Sequence, residues 1–196
     1  MPTPSRKKLL CAVLAFACLT GASLAATPLA SAQTYASGGA SFQLPPPPPP
    51  PAAKATLVNG RVIAPVSAPL RVRRVIEAAN RLVEKPYRYG GGHQPFRRGW
   101  LDSGYDCSGA VSYALYGGRF LRSPLPSGAL MSWGREGPGR WITVYANGGH
   151  AYLVVAGLRF DTSLRDPDAP CPGTGPRWSK TLRDPGAFTP RHPRGY

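Results

Sequence analysis

Acidic side chains are scarce in this chain: nine Asp and Glu stand against 24 Lys and Arg, a formal charge of +15 over 196 residues. Such a balance draws anionic partners and repels cationic ones through long-range steering. Nucleic acid is one anionic class, but no zinc-finger spacing, RNP-like aromatic motif or basic heptad is present, so it is not the partner expected. Long apolar runs are lacking too. The one charge-free apolar run, Leu9 to Leu19, is too short for a membrane span. The four cysteines include no Cys-x-x-Cys pair and the three histidines no His-x-x-x-His pair, which removes the common metal-ligand spacings.

What is present begins with a leader. Arg6, Lys7 and Lys8 precede the apolar run, and Ala30-Ser31-Ala32 offers a small-x-small cleavage site, so residues 1–32 read as a secretory signal peptide. A lipid-anchored form through Cys18 would need a fuller lipobox than "AFAC" supplies. The protein is therefore expected outside the cytoplasm, in the cell wall or periplasm, with no transmembrane segment after processing. Residues 33–68 read as a linker, because "LPPPPPPP" from Leu44 favours polyproline II, a semi-rigid spacer without a core. The folded domain is then 69–196, and a monomer is the default expectation.

Within that domain, Val72, Val75, Ile76, Ala79, Leu82 and Val83 recur at helical spacing and predict a helix over about 71–84, ended by Pro86. "PYRYGGGH" follows, a glycine-rich loop suited to close backbone approach. A second helix opens at Cys107 and stops at Gly117-Gly118, and a short one is expected within 123–139. "RWITVYANGGHAYLVVAGLRFDTS" then reads as strands 141–146, 150–156 and 159–162 with turns at Asn147–Gly149 and near Gly157. Residues beyond 164 are expected to wrap the surface. Helices followed by an antiparallel meander make the fold class α+β.

Removal of the leader leaves two cysteines, Cys107 and Cys171. In an oxidising compartment they are candidates for a disulfide. Cys107 also has a chemical reading: the first turn of a helix concentrates partial positive charge and favours thiolate. A thiol catalyst needs a base, and the base an orienting acceptor. His150 opens a strand after "NGG", and a turn near Gly157 brings Asp161 back toward it, with Thr162 the alternative if the turn is one residue longer. His93 and His192 read as solvated.

"KPYRYGGG", "GYDCSGAVSYAL" and "GGHAYLVV", with a polar residue on the next strand, resemble the NlpC family of bacterial cell-wall cysteine peptidases, small papain-like domains; the likeness spans about residues 70–163. The resemblance implies Cys107 as nucleophile, His150 as base and Asp161 as the third residue. It further implies that Tyr87 helps polarise the scissile carbonyl, that Asp106 and Ser108 bind the peptidoglycan stem peptide, and that no metal or cofactor takes part. The usual Gly-Asp-Leu-x-Phe strand is replaced by "WITVYAN". A non-catalytic wall-binding module with a Cys107 to Cys171 disulfide is the rival reading, and an amidase or acyltransferase relative a third. The basic charge fits anionic wall polymers or a membrane surface in each case.

Overall fold

In the computed structural model of the protein, residues 52–97, 99–164 and 175–196 are described. The leader, the polyproline run, Cys18 and Cys171 lie outside them. Among the described residues no helix is long and apolar enough to cross a membrane.

The first helix, α1 (Leu70–Asn80), buries Val72, Val75, Ile76, Ala78 and Ala79. It ends earlier than its apolar spacing predicts. The Arg81 N–H is shared between the Glu77 and Ala78 carbonyls and the Leu82 N–H reaches only back to Ala79, so the α pattern tightens into i to i−3 turns well before Pro86. Leu82 nonetheless stays in the core. Helix α2 (Cys107–Gly117) packs on α1 so closely that a side chain on Gly117 would meet the Ala78 methyl. Every residue of α2 from Ser108 to Leu115 is buried, and a four-residue helix, α3 (Ser127–Leu130), inserts Leu130 beside it.

The sheet carries the meander that the sequence predicts, in strands one residue tighter at most ends: β4 (Ile142–Ala146), β5 (Ala151–Val155) and β6 (Leu158–Asp161). Pairing runs Val144 to Leu153 and Leu153 to Phe160, so alternate apolar residues line up across three strands and face the helices. The β5–β6 turn is two residues long, Ala156 and Gly157, both at positive φ (46° and 82°), which matches the twist of a tight hairpin. Ala156 is held there from both sides: its N–H donates to Trp141 O at 2.8 Å and its carbonyl accepts from Ala55 N at 2.9 Å.

Two regions depart from expectation. The stretch after 164 does more than wrap the surface, because β7 (Arg177–Ser179) pairs with β6 and β8 (Thr189–His192) pairs with β4 and with the two-residue β3 (Arg135–Glu136). The sheet order is β3-β8-β4-β5-β6-β7. Short Pro- and Arg-rich strands carry almost no alternation, so nothing in their pattern announces them. At the other end, the segment read as linker closes with a hairpin, β1 (Thr56–Val58) and β2 (Arg61–Ile63), whose Val62 is buried.

Asn80, the last residue of α1, ties both ends to the core. Its side chain exchanges hydrogen bonds with Val62 (N–H to Oδ1, 2.9 Å; Nδ2–H to carbonyl, 2.8 Å) and accepts the Trp178 indole N–H at 2.9 Å. Replacing it by Ala strands those groups, each a cost of about 1 kcal/mol or more. Asn80→Ala is expected to lose about 3 kcal/mol and to lower Tm by about 6–12 °C in a thermal melt.

Candidate active site

The site is assembled where α2 begins. Asp106 is its N-cap, in extended conformation, with Oδ1 accepting the Gly109 N–H at 2.7 Å. Cys107 follows as the first helical residue. The glycine-rich loop is laced to this point by backbone bonds: Tyr105 N to Pro86 O, Arg88 N to Tyr105 O, each 3.1 Å, and Asp106 N to Gly91 O, 3.1 Å. A Cβ on Gly109 would collide with Gly91 O, so the "SG" after the cysteine is what lets loop and helix touch. The same lacing brings Tyr87, 44% exposed, to the cysteine.

His150 arrives from the sheet. Asn147 shapes the turn before it, with Oδ1 accepting the N–H groups of Gly149 (3.0 Å) and His150 (2.8 Å). The two-residue turn at 156–157 sets β6 so that Asp161, not Thr162, meets the ring: His150 Nε2 lies 2.9 Å from Asp161 Oδ1. This leaves Nδ1 for the thiol, which is hydrogen-bonded to the imidazole. Among the described residues Cys107 has no disulfide partner.

Electrostatics follow from these contacts. Burial pushes the Cys107 thiol up, but the His150 hydrogen bond and the Ala151 backbone N–H outweigh it and hold the group below the usual thiol range. Burial pulls His150 down; its hydrogen bonds to Asp161 and then Cys107 overcome this and push it up to about 9. The Asp161 side chain has no exposed surface. Burial raises its pKa, yet the His150 bond and those from the Ser163 N–H (2.8 Å) and hydroxyl (3.0 Å) keep it lowered. All three reach Oδ1. Oδ2 has no hydrogen bond among the described residues, but Arg159 and Arg183 each stand 3.8 Å from it. Arg183 also lies over Phe188, whose ring meets His150 edge-on at 6.2 Å and backs the pair from the C-terminal segment.

A cleft of about 410 Å³ opens at the cysteine, lined by Tyr87, His93, Asp106, Cys107, Ser108 and Gly149 among others. Tyr87, Asp106, Cys107 and Ser108, singled out from sequence, thus line one space, with the half-buried His150 and the buried Asp161 outside its lining. His93 is the surprise. Far from being solvated, its Nε2 contacts both Asp106 oxygens (2.9 and 3.1 Å) and Ser108 Oγ (3.2 Å). Its position directly after three glycines is the one signal in the sequence; that Gly90 and Gly91 bind Asp106 is seen only in the fold. His192 is part of β8, with Nδ1 2.9 Å from Gly137 O. No group of three potential metal ligands occurs among the described residues.

No model of a known protein family matches the chain, nor does a curated protein sequence. Among solved structures, the chain is similar to the Resuscitation Promoting Factor Interacting protein RipA in a mutated form (23% identity, 72% of this chain and 69% of that one, TM-score 0.45). It is likewise similar to the P60 domain of an antigen from M. avium subspecies paratuberculosis (25% identity, 62% and 93%, TM-score 0.43).

The geometry makes Asp161 the group that keeps His150 protonated. In an NMR titration of the ring, His150 is expected to titrate near 9 in the wild type and at least about one unit lower in Asp161→Asn. An unchanged midpoint would assign the elevation to Cys107 instead.

Proposed function

We propose that this chain is an exported thiol peptidase that cuts an amide bond in cell-wall stem peptides. The observation that carries the reading is a thiol at a helix start, hydrogen-bonded to an imidazole whose far nitrogen is held by a buried carboxylate. That is the arrangement nucleophilic acyl transfer needs. The substrate class rests on the resemblance of "PYRYGGG", "DCSG" and "GGHAYLVV" to the NlpC family, and the export on the leader.

The chemistry proceeds in two halves. His150 Nδ1 takes the Cys107 proton, and the thiolate sulfur bonds to the scissile carbonyl carbon, whose oxygen becomes the oxyanion. The Cys107 N–H, a first-turn donor without a partner inside the helix, and the Tyr87 hydroxyl are the stabilisers proposed for it. The imidazolium then gives its proton to the departing amine as the C–N bond breaks, leaving a thioester. Water, deprotonated by His150, attacks that thioester; the acid leaves and the thiol is restored. The bond proposed as target is the one the NlpC resemblance implies, between D-glutamate and the diamino acid.

The rival reading, a wall-binding module, requires Cys107 tied to Cys171, which lies outside the described residues; what favours the peptidase is His150 beside Cys107 with its far nitrogen on Asp161. The polyproline arm and the basic surface fit the peptidase equally well, as a spacer and as an electrostatic hold on anionic wall polymers.

Cys107→Ala is expected to abolish release of soluble muropeptides from purified peptidoglycan while leaving the melting curve close to wild type. The pH profile of kcat/KM is expected to be bell-shaped. Its acid limb reports the Cys107 thiol, below the free-thiol value of about 8.5, and its alkaline limb the loss of the His150 proton near 9. Muropeptide release by Cys107→Ala at the wild-type rate would sink the mechanism.

A further inference from the structure

The family resemblance implies that the Asp106 carboxylate, together with Ser108, helps bind the stem peptide. The structure spends that carboxylate elsewhere. Oδ1 accepts from the Gly109 N–H (2.7 Å), the Ser108 hydroxyl (3.2 Å) and His93 Nε2 (2.9 Å), and Oδ2 accepts from the Gly90 N–H (3.1 Å) and again faces His93 Nε2 (3.1 Å). Four donors meet a group with about four lone-pair sites. The side chain is only 11% exposed.

His93 is different. Its side chain is 27% exposed, it lines the same cleft as Cys107, and its Nδ1 has no hydrogen bond among the described residues. Because Nε2 must donate to Asp106, the state of Nδ1 decides what the cleft offers: an N–H donor when the ring is charged, a lone pair when it is neutral. The charged and titratable groups around it are Asp106, the Asp102 carboxylate that takes the neighbouring Gly92 N–H at 2.9 Å, Tyr87, Tyr89 and Cys107 with its partner His150. The Asp106 hydrogen bond raises the His93 pKa, and burial only partly opposes it.

We infer that His93, and not Asp106, is the group that meets the substrate at this end of the cleft, and that it selects a hydrogen-bond acceptor, a carbonyl or carboxylate, over an ammonium group. This rests on the peptidase reading above and narrows its substrate. Stem peptides whose amino end is acylated, as in intact wall, are preferred over released peptides with a free amino end. A charged His93 Nδ1–H donates to the acyl carbonyl, whereas an ammonium group meets a like charge with no free carboxylate to receive it.

The test is a pair of synthetic stem tripeptides differing only in an N-terminal acetyl group, assayed at pH 6, where the free amine is protonated. Wild type is expected to favour the acetylated peptide by about tenfold or more in kcat/KM, and the preference to shrink as pH rises above the His93 pKa. His93→Gln keeps an N–H for Asp106 but no charge, and is expected to erase or reverse the preference; His93→Arg is expected to retain it. Equal cleavage of both peptides by wild type, or an unchanged ratio in His93→Gln, overturns the inference. If wild type cuts neither peptide, the peptidase reading fails, and the inference is judged on labelling of Cys107. At pH 6 the rate with anionic iodoacetate relative to neutral iodoacetamide should fall at least about threefold in His93→Gln, and an unchanged ratio overturns it.

Discussion

A carboxylate sealed from solvent sets the terms for much of this molecule. Asp161 can stay ionised without water only if cations are brought to it, and three elements do so: His150 from the start of β5, Arg159 from β6 itself and Arg183 from the C-terminal segment. The last of these accounts for the chain continuing beyond the meander. Without the stretch from Arg177 to His192, the outer edges of the sheet would be open and the rear of the His150–Asp161 pair would face water. Two side chains, Asp161 and Cys107, raise the imidazole toward 9, and the sheet's part is to hold the first of them in place.

Two acid–histidine pairs therefore stand at one helix start, and they are built for different tasks. In the His150–Asp161 pair the acid is hidden and the ring reaches the thiol. In the His93–Asp106 pair the acid holds helix and loop together, and the ring stands at the open cleft. One carboxylate serves charge, the other architecture. The loop that bears His93 is fixed by backbone contacts that tolerate no side chain on Gly91 or Gly109, so the second ring is positioned as firmly as the first.

Much of this was legible beforehand because it depends on local pattern. Helical spacing places α1 and α2, Gly117-Gly118 ends α2, and "NGG" with the apolar alternation after it places the β4–β5 hairpin. Cys107, His150 and Asp161 could be joined on paper because a hairpin converts sequence distance into spatial adjacency. What escaped was set by tertiary partners. The end of α1 is decided by tightened turns and by what Asn80 binds, β7 and β8 by an open sheet edge, and the β1–β2 hairpin by a core that reaches Val62. His93 escaped because the value of a histidine after a glycine loop depends on where that loop lands.

The turn at Ala156 and Gly157 has a consequence for how such a chain can diverge. Side chains alternate faces along a strand, so gaining or losing one residue there would send Asp161 to the helix side of the sheet and put Phe160 in its place. The loop before His150 is gauged by Asn147 in the same way. Length variation among descendants of this gene should therefore accumulate in stretches such as 94–103 or 119–139, which hang outside these two hairpins, while the count of residues from Asn147 to Asp161 stays frozen even as the side chains between them drift.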